Sequence, residues 1–374
     1  MSTFLTKKLE SKCIVWFRAT NSYLVFESIV AKILTQIRNN VNFAEIEDLC
    51  SKNLDAPKEV ILDLTTSIYK IYNENNFASP KKAGINIQYK IPTLFFSEKY
   101  YYIHNYIIKI QYQKECLESK IHPIFAHLEL KKGTDYHFNY TVFDQNSFIF
   151  FLKNKHYIGH WNKRDSHIFE GKLSMQLLID IYKKSETDWM GVFHASAISN
   201  GKESILFLGD SGNGKSTSLA LLNANGYNCL ADDFVPIDKN KNIYTYPAAI
   251  SVKSKSVATL IPFYPQLKNT SEYHLKKRNT TVKYLAPKKI DYNQKTKCKA
   301  LIFIEYNPKI ELEINTKPQI EAFQQLVPDS WISPIEENAD IFLDWFLELP
   351  CYQLTYSNNK KMIDTVSKIF QNEL

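Results

Sequence analysis

The sequence predicts a mixed fold, α/β at its core and α+β overall, divided into two or three domains. Three observations predict it. Residues 204–231 read as strand, glycine-rich loop, helix, strand. Residues 85–190 are dense in Tyr, Phe and Ile in strand-length runs. The first 76 residues read as a short hairpin followed by three helical stretches. At 374 residues with 44% apolar side chains, the chain has enough material for packed cores.

Taken in order, Cys13 to Phe17 and Ser22 to Phe26 are two short strands around a turn at Ala19 to Asn21. Glu27 to Asn39 then places Ile29, Val30, Ile33, Leu34 and Ile37 at helical spacing. Phe43 to Leu54 and Pro57 to Tyr72 supply two more helices. A first domain is expected at 1–76, followed by a linker from Phe77 to Gly84 carrying Ser79-Pro80 and Lys81-Lys82.

A β-rich lobe is expected at 85–190, with strand-like runs at Tyr100 to Gln113, Tyr136 to Phe143 and Phe148 to Leu152. Lys172 to Lys183 reads as an amphipathic helix. The aromatic side chains of this region suit a core better than a binding platform. A third domain is expected at 191–374. Gly191 to Ser199 looks like one strand, and Asn200-Gly201 signals a hairpin turning back into Ile205 to Leu208. Further strands are expected at Ala300 to Glu305, Ile310 to Ile314 and Tyr352 to Tyr356. Helices are expected at Asp340 to Glu348 and Lys360 to Phe370.

The chemistry concentrates between 194 and 233. Gly209-Asp210-Ser211-Gly212-Asn213-Gly214-Lys215-Ser216 fits G-x-x-x-x-G-K-[ST], and Thr217 continues it. The chain has only 10 glycines, so three within six positions mark a loop that needs special backbone shape. Such a loop points successive N–H groups inward, where they cradle phosphates. Lys215 reaches the β- and γ-phosphates as a mobile charge, Ser216 is placed to ligate Mg²⁺, and the helix opening at Lys215 adds its positive end. Leu219, Leu221 and Leu222 suit that helix, which Gly226 closes.

Tyr227 to Ala231 reads as the next strand and delivers Asp232-Asp233 at its end, where α/β folds place ligands. One carboxylate can hold Mg²⁺ while the other accepts a proton from an attacking hydroxyl. An Asp-Asp turn that merely caps a neighbour is the structural alternative. His194 either stands near the phosphates as a positioning group or is a core histidine satisfied by a carbonyl.

His-Ala-Ser-Ala-Ile at 194–198, the glycine loop at 209–216 and Leu-Ala-Asp-Asp at 230–233 together resemble the HPr kinase/phosphorylase catalytic domain. Its relatives are similar in this loop to phosphoenolpyruvate carboxykinases. The resemblance implies ATP- and Mg²⁺-dependent phosphoryl transfer to a Ser or Thr hydroxyl. It implies Asp232 as the proton acceptor, Asp233 beside Ser216 as the metal side, and His194 as an active-site histidine. The family's downstream glycine-containing signature is missing, since no glycine follows Gly226; Tyr-Pro-Ala-Ala-Ile-Ser-Val-Lys stands at 246–253 instead. Ser216 is followed by Thr217 where the HPr enzyme has Glu. These departures tell against HPr as substrate and against the reverse phosphorylase reaction. They favour the HPr-kinase-like proteins of peptide-modification systems, including kinases of lasso-peptide precursors.

The hairpin and three helices at 1–76 resemble a PqqD-like domain, which recognises leader peptides of ribosomally made natural products by strand addition. A generic winged-helix or packing domain matches the same pattern. Three functions therefore stay open. The first is a kinase of a peptide or small protein bound through residues 1–76. The second is a nucleotide-binding leader-peptide module without chemistry of its own. The third is a kinase of a free small molecule.

Other classes are excluded or unsupported. No apolar run approaches membrane-spanning length, and the N-terminus lacks a signal-peptide core. The six cysteines are scattered without a C-x-x-C pair, which points to a reducing cytoplasm. Net charge is +7, and no nucleic-acid motif accompanies it. Between Lys253 and Lys289 stand nine Lys/Arg and one acid, Glu272, densest at Lys276-Lys277-Arg278. That stretch is either a loop over phosphates or acidic substrate, or a solvated face. Lys253 is the basic residue best placed to face the site. HPr kinases form homo-oligomers, a partner class that the resemblance implies and no residue pattern here supports independently.

Overall fold

The computed structural model describes residues 3–77, 88–131, 133, 135–275 and 280–374. The expected linker beyond Phe77 and the basic triplet 276–278 lie outside them. The chain divides into two compact units, Met1–Ile85 with Thr316–Cys351 and Asn86–Asn315 with Tyr352–Leu374.

The first unit opens with three antiparallel strands, β1 (Phe4–Leu9), β2 (Lys12–Phe17) and β3 (Ser22–Glu27). Helices α1 (Ser28–Arg38), α2 (Phe43–Asn53) and α3 (Lys58–Asn76) follow. The sequence disclosed β2, β3 and the helices but not β1. Its centre carries Lys7 and Lys8, and only its ends, Phe4 and Leu9, are fully buried. Side chains alternate across a strand. The register therefore sets Phe4, Val15, Phe17, Leu24 and Phe26 on one face, where they join the core formed with α1, α2 and α3.

The second unit contains the β-rich lobe. Its strands are β4 (Ser97–Ile103), β5 (Tyr106–Tyr112), β6 (Glu129–Leu130), β7 (Phe138–Gln145), β8 (Phe148–Lys153) and β9 (His156–Asn162), in spatial order β6-β4-β5-β7-β8-β9. The run Tyr100 to Gln113 is thus two strands rather than one. His104-Asn105 turns the chain with both φ angles positive, as do Asn146-Ser147 and Asn154-Lys155. This is the two-residue geometry that matches strand twist, and here asparagine supplies it instead of glycine. Helix α4 (Glu115–Phe125) carries the crossover between parallel β5 and β7. Helix α5 (Ser166–Tyr182) begins well before Lys172 and buries Phe169, Leu173, Met175, Leu177 and Leu178.

The larger sheet of this unit uses β10 (Trp189–Phe193), β11 (Ser196–Ser199), β12 (Glu203–Leu208), β13 (Asn228–Ala231), β14 (Val235–Asp238), β15 (Asn242–Ile243) and β19 (Thr296–Tyr306). Helix α6 (Lys215–Ala224) joins β12 to β13. The order is β13-β11-β12-β19-β15-β14-β10, and β12 runs parallel to β19. The stretch 191–199, expected as one strand, is broken at His194-Ala195. Its first half pairs with β14 and its second with β12 and β13. Beside this sheet lies a small one, β16 (Ile250–Lys253), β18 (Thr280–Leu285) and β17 (Tyr273–Leu275), with helix α7 (Ser254–Leu260).

The lobe and the sheet, expected as separate domains at 85–190 and 191–374, form one unit because their contacts are dense. Ala249 N–H donates to the Ile124 carbonyl at 2.9 Å, Tyr182 Oη donates to the Thr245 carbonyl at 2.6 Å, and the rings of Tyr182, Trp189 and Tyr244 pack edge to face.

After β20 (Leu312–Thr316) the chain makes an excursion through α8 (Gln319–Leu326), β21 (Trp331–Ile332) and α9 (Glu336–Leu347). This excursion belongs to the first unit, contrary to the expected continuous domain at 191–374. It covers the second face of the β1-β2-β3 sheet. Tyr23 stands edge-on to Phe323 and Phe342, Lys7 pairs with Asp340 and Asp344 at 2.8 Å each, and Asn21 donates to the Ile332 carbonyl. A strand buried on both faces reads as a continuous apolar run, which is why Cys13 to Phe17 does not alternate. The chain returns to the second unit with β22 (Cys351–Tyr356), paired to β19 and β20, and α10 (Asn359–Gln371), packed on α6. Among the described residues, no helix is long and apolar enough to cross a membrane.

Trp16 is fully buried on the face that the excursion covers. Trp16→Ala is expected to destabilise the protein by about 3–5 kcal/mol. Urea unfolding followed by circular dichroism checks this.

Candidate functional site

The glycine loop is built by what surrounds it. Gly209 has φ +133°, and a Cβ there would stand 2.8 Å from the Ile304 carbonyl oxygen, so only glycine fits. Gly214 takes φ +98° immediately before α6 and lets the chain enter the helix at Lys215. The loop is pinned from outside by Tyr306 N–H donating to the Asn213 carbonyl at 3.0 Å. Below it, the Ser218 and Tyr356 hydroxyls bond at 2.8 Å. Lys215 is buried and donates to the Gly209 carbonyl, which folds its ammonium back over the loop.

Asp232 lies directly after β13 and is buried, 3% exposed. One oxygen accepts from Ser196 Oγ at 2.6 Å and from Ser216 Oγ at 3.1 Å. The other accepts from the Ser251 N–H at 2.9 Å. Burial, and then the neighbouring Asp233 charge, push its pKa up to about 7; the three donors offset part of this. Asp233 adopts φ +62°, a left-handed conformation that reverses the backbone at the strand end. That turn swings its carboxylate outward, where it is 40% exposed and 3.7 Å from His194 Nε2.

The geometry differs from the sequence expectation on one point. Ser216 was expected to share a metal with Asp233, with Asp232 facing the acceptor. Instead Ser216 contacts Asp232, and Asp233 stands beside His194. The cause is local. Strand β13 still directs Asp232 inward beneath the start of α6, and the backbone reverses only at Asp233.

His194, Asp210, Ser211, Gly212, Gly214, Lys215, Ser216, Thr217 and Asp233 line one open cleft. Gly209, Asn213 and Asp232 are not part of that lining. His194 owes its place to the break between β10 and β11, so the satisfied core histidine is not what the fold builds. The opposite wall comes from β16, α7 and β18, through Ser251, Lys253, Ser256, Thr280 and Val282. Only Lys253 was expected among these. Hydroxyl side chains on a separate small sheet and the helix beside it carry no sequence signal.

Ser216 Oγ and the Asp232 carboxylate are hard oxygen donors in contact, a fit to Mg²⁺, which takes one or two protein oxygens and completes its shell with water and phosphate. Among the described residues, no group of three or more His, Cys, Asp or Glu forms a metal cluster. No protein-family model matches the chain, and no curated protein matches it.

Two outcomes are expected. Gly209→Ala forces a Cβ against a backbone carbonyl and should lower stability, measured by thermal melting. Asp232 carries a folded-state pKa raised from 3.8 to about 7. A raised pKa contributes stability that is present below the unfolded value and lost as pH rises through the folded one. Without added metal, stability should therefore fall between about pH 4 and 7, by at most ~1.4 kcal/mol per pH unit from this group. Asp232→Asn should flatten that slope, which chemical denaturation across the pH range tests.

Proposed function

We propose that this protein is an ATP- and Mg²⁺-dependent kinase that phosphorylates a Ser or Thr hydroxyl on a peptide or small protein. One observation carries the reading. Ser216, at the head of α6, touches the carboxylate delivered by the very next strand, beneath a glycine loop whose cleft also holds Lys215, Asp233 and His194.

In this reading the backbone N–H groups of Ser211 to Lys215 hold the phosphates, and the Lys215 ammonium exchanges the Gly209 carbonyl for β- and γ-oxygens. Ser216 and Asp232 hold the metal side, and Asp232 ionises there. Mg²⁺, when bound, supplies charge to offset the phosphate oxygens. Asp233 faces the acceptor. Its carboxylate takes the hydroxyl proton as that oxygen bonds to the γ-phosphorus and the bond to ADP breaks; His194 holds the carboxylate in place. Positioning and charge stabilisation supply most of the rate.

The acceptor class is supported by the first unit, where a three-stranded sheet is followed by three helices and has β1 and β3 as its outer strands, the kind of sheet edge that strand addition by a peptide uses. A precursor peptide of a ribosomal natural product fits this best.

Mass spectrometry of a candidate peptide after incubation with ATP and Mg²⁺ should show one added phosphate. An unmodified peptide held in a stable complex would instead favour a leader-binding module. Asp233→Asn should lower turnover about 10²–10⁴-fold with ATP binding intact. Asp232→Asn should weaken the Mg²⁺ dependence of ATP binding. Full activity in Asp233→Asn would return the base role to Asp232.

A further inference from the structure

We infer that Lys253 reaches the terminal phosphate of the bound nucleotide, so that the cleft distinguishes a triphosphate from a diphosphate. This rests on the nucleotide reading above and adds a specificity-determining residue to it.

The argument is one of direction along the cleft. A phosphate-cradling loop has two ends. Lys215 and the metal-side Ser216 take the β- and γ-phosphates, the helix runs on from Thr217 toward the nucleoside end, and the opening residues lie toward the terminal phosphate. The far wall touches the loop at two points. Thr217 Oγ1 donates to Ser256 Oγ at 2.7 Å, and Lys253 Nζ donates to Ser211 Oγ at 2.7 Å. The wall therefore runs alongside the loop, with Ser256 at its nucleoside end and Lys253 at its terminal end.

The position of Lys253 is fixed by the site itself. The Ser251 N–H donates to Asp232, so β16 is anchored to the same carboxylate that Ser216 touches. Strand alternation puts the side chains of 251 and 253 on one face, and both line the cleft. Lys215 comes from within the loop and Lys253 from across it, so two cations flank the place of the transferring group. Asp210 and Asp233 line the same space. As charge spreads over the transferring group, a lysine at this end also stabilises the transition state.

Titration calorimetry of the full chain with ATP and with ADP, each with Mg²⁺, tests this in wild type, Lys253→Met and Lys253→Arg. Lys253→Met should weaken ATP binding about tenfold or more, the loss of a charge-assisted contact, and change ADP binding little. Lys253→Arg should keep most of the difference. Unchanged melting of Lys253→Met without nucleotide would separate this from a folding defect, which would move both affinities. Equal weakening of ATP and ADP, or of neither, overturns the role of Lys253 while leaving the nucleotide reading in place. If wild type binds neither nucleotide, the nucleotide reading fails and Lys253 falls with it.

Discussion

One buried carboxylate organises the site. Asp232 accepts hydrogen bonds from β11 through Ser196, from α6 through Ser216 and from β16 through the Ser251 amide. Three elements distant in sequence converge on two oxygens. Burying such a group is costly unless its lone pairs are filled, and here the donors fill them while the adjacent Asp233 works against them. Burial and the adjacent charge thus hold this carboxylate toward its neutral form, while the three donors hold it in one orientation.

Much of this was legible in the sequence, for physical reasons. The glycine loop declares itself because it needs glycine at fixed places, and the Gly209 carbonyl clash shows how strictly. The flanking strands and helix are apolar and regular, so their periods show. The different orientations of Asp232 and Asp233 were not legible. Two adjacent carboxylates look alike in a sequence, and only a single backbone angle, φ +62° at Asp233, sends them different ways. The far wall was equally silent, since Ser251, Ser256 and Thr280 are ordinary residues made useful by where a small sheet sits.

The domain boundaries failed to show for a different reason. An amphipathic helix announces that it has a partner but not which one. Helix α9 has an apolar face and a charged rim, and both suit a neighbour in sequence as well as a remote one. The Lys7 pairs with Asp340 and Asp344 settle the choice in three dimensions. The strand β1 was overlooked for a related cause: lysines at its centre disguise a segment whose two ends are buried.

Asn21 bonds a carbonyl 311 residues further along the chain. During synthesis the amino-terminal sheet thus emerges with Trp16 and Tyr23 bare, long before their cover exists. Closing so remote a contact is slow, and unshielded apolar surface invites misassembly meanwhile. The two ends of the late-arriving segment nevertheless meet, with Lys317 N–H donating to the Cys351 carbonyl at 2.8 Å. It therefore leaves and returns at one point, and the cover of the amino-terminal sheet is made long after the sheet itself.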